Sequence, residues 1–150
     1  LLNKISRENK LDNSLIGNIL KSNKVQKDYI YQNIKKFKKK KIVIVGLSYK
    51  EGTSTLRQSD SIKLANWLKK NNYKFYLYDS QIDKIPKTLE KKVISNLEKK
   101  IKDIDIYIFL YKQKKIKNLN KNILKHRNNK KTYFYDPCHN YPQRKEVIYI

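Results

Sequence analysis

The chain has 150 residues, which suits one domain or one domain with an appendage, and a domain of this size folds without a disulfide framework or a structural metal. No apolar run approaches the roughly 18 residues of a membrane-spanning helix, and no secretion signal is evident, so we expect neither a membrane protein nor an exported one. The net charge of +23 comes from 36 Lys and Arg, but only four of these are Arg and the Lys are spread along the chain, which favours a solvated lysine surface over a nucleic-acid reader.

Residues 1–37 have apolar positions at helical spacing. Asn13 and Ser14 can cap the first of two amphipathic stretches. The residues that share a face are Leu15, Ile16, Ile19 and Leu20 in the first stretch, and Ile30, Ile34 and Phe37 in the second. We therefore predict two short helices. Three lysines at 38–40 interrupt the pattern, and we place the boundary of this helical segment after residue 38.

From residue 39 the spacing of apolar residues changes. Residues 42–45 form an uninterrupted β-branched run that ends at Gly46, as expected of a strand buried on both faces of a parallel sheet. A helix follows from about Ser59 to Asn71. Further strands are predicted at 75–79, 93–94, 104–111, 132–136 and 147–150, with helices at 97–102 and 116–124. This alternation predicts a doubly wound, mainly parallel α/β sheet of Rossmann-like type, preceded by short N-terminal helices.

The loop at residues 46–59 is the candidate functional segment. It follows the first strand, and open α/β sheets bind ligands beyond the carboxyl ends of their strands. At about twice the usual 2–6 residues it is long for such a turn. It fits neither the P-loop nor the dinucleotide glycine pattern. Lys50 and Arg57 supply cations, Thr53 and Thr55 supply hydroxyls, and a helix N-terminus follows, a set that suits a pyrophosphate group. An ordinary exposed loop is the alternative.

The same segment resembles a family motif. It reads Gly-Leu-Ser-Tyr-Lys-Glu-Gly-Thr-Ser-Thr-Leu-Arg-Gln-Ser. This is similar to the Gly-Leu-Ala-Phe-Lys-x-x-Thr-x-Asp-x-Arg-x-Ser motif that opens the C-terminal, UDP-binding domain of the UDP-glucose/GDP-mannose dehydrogenase family. The helix through Trp67, the strand ending at Asp79 and the segment closing at Asp136 follow the family's order. The resemblance implies a UDP-sugar-binding, Rossmann-like domain at 39–150, and the end of a central dimerisation domain at 1–38.

The resemblance also implies residue roles. Lys50, with its neighbour Tyr49, would contact a UDP-sugar, and Arg57 would reach NAD bound mainly by another domain. Such enzymes oxidise the sugar C6 alcohol to a carboxylate in two hydride transfers to NAD, through a cysteine thioester. Neither the Gly-Gly-x-Cys motif of that cysteine nor the Gly-rich NAD turn occurs in this sequence. The resemblance therefore implies no catalytic residue here, and we expect the chain alone to be inactive. It would work with upstream NAD-binding and catalytic domains, in a homodimer that serves polysaccharide biosynthesis.

Two positions depart from the family pattern. Thr55 replaces the Asp of the motif, and the substrate-binding turn Asp-Gly-Arg-Asn reads Asp136-Pro137-Cys138-His139, so the expected Arg is missing. Cys138 is the single cysteine, which fits the reducing cytoplasm, and we do not expect it to be a nucleophile. The sequence has no set of residues with the spacing of metal ligands.

The leading interpretation is the C-terminal, nucleotide-sugar-binding part of an NAD-dependent UDP-sugar 6-dehydrogenase of the UDP-glucose type. Because the chain contains no Met and begins with two leucines, we expect it to belong to a longer product. The alternatives are a stand-alone or decayed nucleotide-sugar-binding module without activity, and a basic nucleic-acid-associated protein.

Overall fold

A computed structural model of the chain describes residues 15–48, 55–57, 59–82, 84–111, 119–126, 131–137, 139–143 and 148–150. The chain divides into two compact units between Phe37 and Lys38. The elements in chain order are α1 (Leu15–Lys35), β1 (Ile42–Val45), α2 (Asp60–Lys70), β2 (Phe75–Tyr78), 3-10 helices at Glu90–Lys92 and Glu98–Asp103, β3 (Ile106–Phe109), α3 (Leu119–His126), β4 (Tyr133–Tyr135) and β5 (Ile148–Tyr149). The roles predicted for the two units stay predictions.

In the described part of the first unit, from residue 15 to residue 37, one helix spans both of the apolar stretches that were predicted to be two helices. α1 is continuous over 21 residues and joins both apolar stretches. The residues between the stretches, 21–29, include neither Pro nor Gly, so nothing interrupts the ladder of backbone hydrogen bonds. Val25 and Tyr29 on this helix are exposed. The predicted cap, Asn13 and Ser14, lies outside the described residues.

The second unit is built on a five-stranded parallel sheet, which confirms the predicted fold class. The strand order is β2-β1-β3-β4-β5, and every neighbouring pair is parallel. In register, Ile44 of β1 lies between Leu77 of β2 and Ile108 of β3. The chain moves to one side from β1 to β2 and then crosses to the other side for β3. The strand order therefore reverses between β1 and β3, and such a switch point opens a crevice at the carboxyl ends of the strands.

The strand predicted at residues 93–94 is reduced to a single bridge. Val93 pairs in parallel with Leu77, and the Ile94 N–H donates to the Leu77 carbonyl at 2.9 Å. The 3-10 helix Glu90–Lys92 ends immediately before this pair, and Glu98–Asp103 begins shortly after it. These tight turns leave too few extended residues for a strand.

An aromatic cluster packs under the β3–β4 side of the sheet. The Phe109 ring lies edge-on to Phe134 at 5.1 Å and to Tyr141 at 5.0 Å between centroids, an arrangement that adds stability to simple burial. Tyr107 joins the cluster, and its hydroxyl donates to the Ile101 carbonyl at 3.3 Å. Burial raises the pKa of the Tyr107 hydroxyl, so it remains a donor. Because Tyr141 lies beyond β4, the cluster also holds the segment that follows that strand.

Position 46, directly after β1, requires glycine for two reasons: its backbone conformation and the close approach of Tyr111. Its φ is +87°, in the left-handed region, and a Cβ at this position would lie 2.5 Å from the Tyr111 carbonyl oxygen. Tyr111 follows β3 in the chain, so the segments leaving β1 and β3 meet here without space for a methyl group. Glycine satisfies both conditions.

We predict that Gly46→Ala destabilises the second unit by about 1–3 kcal/mol from backbone strain, with the steric contact adding to that loss. Urea unfolding followed by fluorescence of Trp67, the one tryptophan, measures this unit because Trp67 lies in α2. Gly17→Ala in α1 is the matched control, since alanine is a better helix former than glycine. An unchanged midpoint for Gly46→Ala would contradict the requirement for glycine.

Candidate functional site

The candidate site lies at the carboxyl ends of β1 and β3, where the strand order reverses. Parallel strands end at a common edge, so the segments that follow β1, β2, β3 and β4 all gather there. The predicted functional loop, residues 46–59, leaves from this edge. The structure describes both ends of the loop, and these ends show how it is held.

The two ends of the loop are joined by hydrogen bonds from buried serines. The Ser59 hydroxyl donates to the Leu47 carbonyl at 2.5 Å, and the Ser61 hydroxyl donates to the Gly46 carbonyl at 2.6 Å. The Ser59 oxygen also accepts the Ile62 N–H at 3.3 Å, and so caps α2. The two described ends of the loop, which form its base, therefore lie next to each other and are fixed by these hydrogen bonds.

Asp79 fixes the same base from the other side. One carboxylate oxygen accepts the Leu47 N–H at 2.7 Å and the other accepts the Gln81 N–H at 2.8 Å. An acidic residue in the second strand region of a dinucleotide-binding fold often binds a ribose hydroxyl. Here the carboxylate of Asp79 braces the chain instead. Desolvation raises the pKa of the adjacent Tyr78 hydroxyl, and the charges of Asp79 and Glu98 raise it further.

Of the three predicted ligand-binding residues, Arg57 is described. Its side chain is exposed, and its backbone N–H donates to the Thr55 hydroxyl oxygen at 3.4 Å. Thr55, which stands where the family motif has Asp, thus accepts a local hydrogen bond at the end of the loop. Tyr49 and Lys50 lie outside the described residues, so their roles stay predictions.

A second organised segment follows β4 at the same edge. The buried carboxylate of Asp136 accepts the Asn140 N–H at 2.9 Å, the Asn140 side-chain amide at 2.9 Å and the Tyr141 N–H at 3.0 Å. The Asn140 amide also donates to the Phe109 carbonyl at 3.2 Å, which ties the turn to the end of β3. The sequence motif indicated Asp136 but not Asn140. The sequence signal for this turn is an Asp directly after a strand, followed four residues later by an Asn. Cys138, in this turn, lies outside the described residues.

In the part of the chain that the structure describes, no cluster of His, Cys, Asp or Glu could hold a metal ion. Among the described helices, none combines the length and hydropathy needed to cross a membrane.

Comparison with known proteins decides the family. Residues 43–142 match the family model of the UDP-glucose/GDP-mannose dehydrogenase family, UDP binding domain. The chain belongs to this family. The matched range contains both organised segments, the loop after β1 and the turn after β4.

Curated relatives match part of the chain. GDP-mannose 6-dehydrogenase of Azotobacter vinelandii is 35% identical over 69 residues, which is 46% of this chain and 16% of the relative. The enzyme of the same name from Pseudomonas putida is 32% identical over 68 residues, 45% of this chain and 16% of the relative. The matched stretch therefore spans about a sixth of the length of these relatives.

Solved structures share the fold. A GDP-mannose dehydrogenase from Pseudomonas aeruginosa, determined as a ternary complex, superposes with a TM-score of 0.69 at 19% identity, covering 97% of this chain and 36% of that one. A UDP-N-acetyl-mannosamine dehydrogenase from Staphylococcus aureus gives a TM-score of 0.62 at 20% identity, covering 83% and 28%. Both are nucleotide-sugar dehydrogenases by name, and the similarity places the UDP binding domain in their α/β fold.

We predict that Ser59→Ala destabilises the UDP binding domain by about 2–3 kcal/mol, because it removes the α2 cap and leaves the buried Leu47 carbonyl without its donor. Ser95→Ala is the control, since Ser95 is exposed and its replacement is expected to change stability by less than about 0.5 kcal/mol. The measurement is urea unfolding followed by Trp67 fluorescence. Equal stability of the two variants would show that the serine does not hold the loop.

Proposed function

We propose that this chain is the nucleotide-sugar-binding part of an NAD-dependent UDP-sugar 6-dehydrogenase of the UDP-glucose type. The observation that supports this most is the base of the motif loop, held by Ser59, Ser61 and Asp79 at the switch point of a family domain. Lys50 and Tyr49 on this loop contact the nucleotide-sugar, and the Lys50 ammonium pairs with its diphosphate.

The fixed base matters because a loop that must be ordered on binding weakens affinity. Immobilising a side chain or a loop costs free energy that is subtracted from the contacts made with the ligand. Here the loop ends are already joined by hydrogen bonds, and the N-terminus of α2 directs its partial positive charge to the same edge of the sheet. The arrangement favours an anionic ligand before Lys50 adds its charge.

The described residues offer NAD a single candidate contact. Arg57 carries an exposed guanidinium at the end of the loop, and such a fork suits a carboxylate or phosphate of a ligand bound beside the sheet. In the complete enzyme NAD would accept hydride from the sugar, while this chain binds and orients the nucleotide. We further propose that NAD-binding and catalytic domains complete the enzyme, which works as a cytoplasmic homodimer in polysaccharide biosynthesis.

A GDP-sugar is the second candidate, because the curated relatives described above are GDP-mannose 6-dehydrogenases. The two candidates share the diphosphate and differ in the base. Titration of the chain with UDP and with GDP separates them: the UDP-sugar proposal requires tighter binding of UDP, and tighter binding of GDP would favour the second candidate.

We predict that Lys50→Ala weakens UDP binding about 10- to 150-fold, the loss of one charge-assisted contact of about 1.5–3 kcal/mol. Isothermal titration calorimetry on the 150-residue chain measures this. Lys99→Ala removes the same charge from an exposed position of a 3-10 helix and is the matched control for general electrostatic attraction. Similar losses in both variants would mean that UDP responds to the lysine surface as a whole, and would contradict a site on the loop.

A further inference from the structure

The strand β2 lies at one edge of the sheet, with β1 as its neighbour in the strand order. The carbonyls of Lys74 and Tyr78 accept N–H groups from the β1 side, at 3.0 Å each. Backbone groups point alternately to the two sides of a strand, so those of Phe75 and Leu77 point outward. Outward N–H and C=O groups on an edge strand are a template for pairing with a strand of another chain.

Residues 86–94, which we call the strap, run along this outer edge. The Ile94 N–H donates to the outward Leu77 carbonyl at 2.9 Å. The Lys92 ammonium lies 5.2 Å from the centre of the Phe75 ring, within the range of a cation–π contact. The strap therefore contacts both of the β2 residues whose backbone groups point outward.

The strap is built mainly from local turns. The Leu89 N–H donates to the Pro86 carbonyl at 2.7 Å, and the Lys92 N–H donates to the Leu89 carbonyl at 2.9 Å. Most residues of the strap are exposed, whereas the Leu89 side chain is fully buried and the Lys69 ammonium of α2 donates to the Thr88 carbonyl at 2.8 Å. Segments with mostly local hydrogen bonds and little buried surface open without unfolding the rest of a domain.

We propose that the strap is a detachable cover that keeps the outer edge of β2 from pairing with β2 of a second copy of this chain. A second copy offers the same edge, and two such edges related by a twofold axis pair in antiparallel fashion. β2 reads Phe-Tyr-Leu-Tyr, four residues of high β-propensity without a charge or a proline, so nothing within the strand opposes this pairing. The inference concerns association between chains and does not depend on the proposed function.

The charge of the strap supports the same role. Lys87, Lys91 and Lys92 outnumber the single acidic residue of the strap, Glu90. Lysines at a sheet edge oppose pairing, because a second copy brings like charges to the same place. A closed strap therefore both occupies the edge and repels another closed strap.

Ile94→Pro tests the strap in the 150-residue chain, because proline lacks the N–H that is donated to Leu77. Proline suits the position, since the preceding Val93 is already extended, with φ −75° and ψ 135°. Loss of one backbone hydrogen bond favours opening by about 2- to 10-fold, and both copies must open, so we expect self-association to tighten by the square of that factor, about 4- to 100-fold.

Sedimentation velocity over a range of concentrations measures this association relative to wild type, so that any contact through another surface is common to all samples. Ile94→Ala is the matched control, because it keeps the N–H and loses apolar side chain, and we expect it to sediment like wild type. Native Trp67 fluorescence shows that a variant is folded. Unchanged sedimentation of folded Ile94→Pro would overturn the inference, and so would equal association of Ile94→Ala.

Amide hydrogen exchange tests the strap even if Ile94→Pro fails to fold. We expect the wild-type Ile94 N–H to be at least about tenfold less protected than the Gly46 N–H, which is bonded to the Tyr78 carbonyl, because the strap opens alone. Lys69→Ala should lower Ile94 protection by a further two- to fivefold, about the effect of one exposed hydrogen bond, while Lys70→Ala, the exposed neighbour on α2, should not. Equal protection of the Ile94 and Gly46 amides would mean that the strap opens only with the sheet, and would overturn the inference.

Discussion

The backbone N–H and C=O groups of Gly46 and Leu47 must all be hydrogen-bonded, and the carboxyl edge of the sheet depends on this constraint. Both residues are buried, and a buried backbone N–H or C=O without a partner is costly. The Gly46 N–H donates to the Tyr78 carbonyl and the Leu47 N–H donates to Asp79. The two carbonyls accept from the serine hydroxyls of the α2 N-terminus. All four groups are satisfied, and this allows the chain to leave β1 through a buried corner and then present a long loop.

An aspartate that follows a strand and accepts backbone N–H groups occurs at two places along this edge. Asp79 follows β2 and Asp136 follows β4, and each carboxylate accepts at least two backbone N–H groups from the segment it organises. A carboxylate fixed in this way accepts hydrogen bonds from the protein's own backbone. The exposed Arg57 guanidinium is the group that we propose meets an anionic ligand among the described residues of the loop. Because their carboxylates bind backbone N–H groups, acidic side chains are compatible with an edge that we propose binds a diphosphate.

Sequence patterns predicted the helices and strands whose boundaries are set by residues close to them in the sequence. The β-branched run at 42–45 and the serine and asparagine at the ends of α2 fixed those boundaries to within a residue or two. The continuity of α1 was missed, because a polar stretch within a helix looks like a gap between two helices. The bracing of Leu47 by Asp79 and of the β3 end by Asn140 could not be predicted from periodicity, because these partners are 32 and 31 residues apart and meet through the strand order. The motif indicated which loop matters, and the structure shows what holds it.

The central claim is that a nucleoside diphosphate binds at the carboxyl edge, between the loop after β1 and the turn after β4. Amide chemical shifts of the isotopically labelled chain, followed during titration with UDP, test it most directly. The account predicts that the largest saturable changes fall on residues such as Leu47, Arg57 and His139, while Lys41 and Tyr133, which precede or begin strands at the amino edge, change little. Changes concentrated at the amino edge or on α1, or no change at saturating UDP, would contradict it.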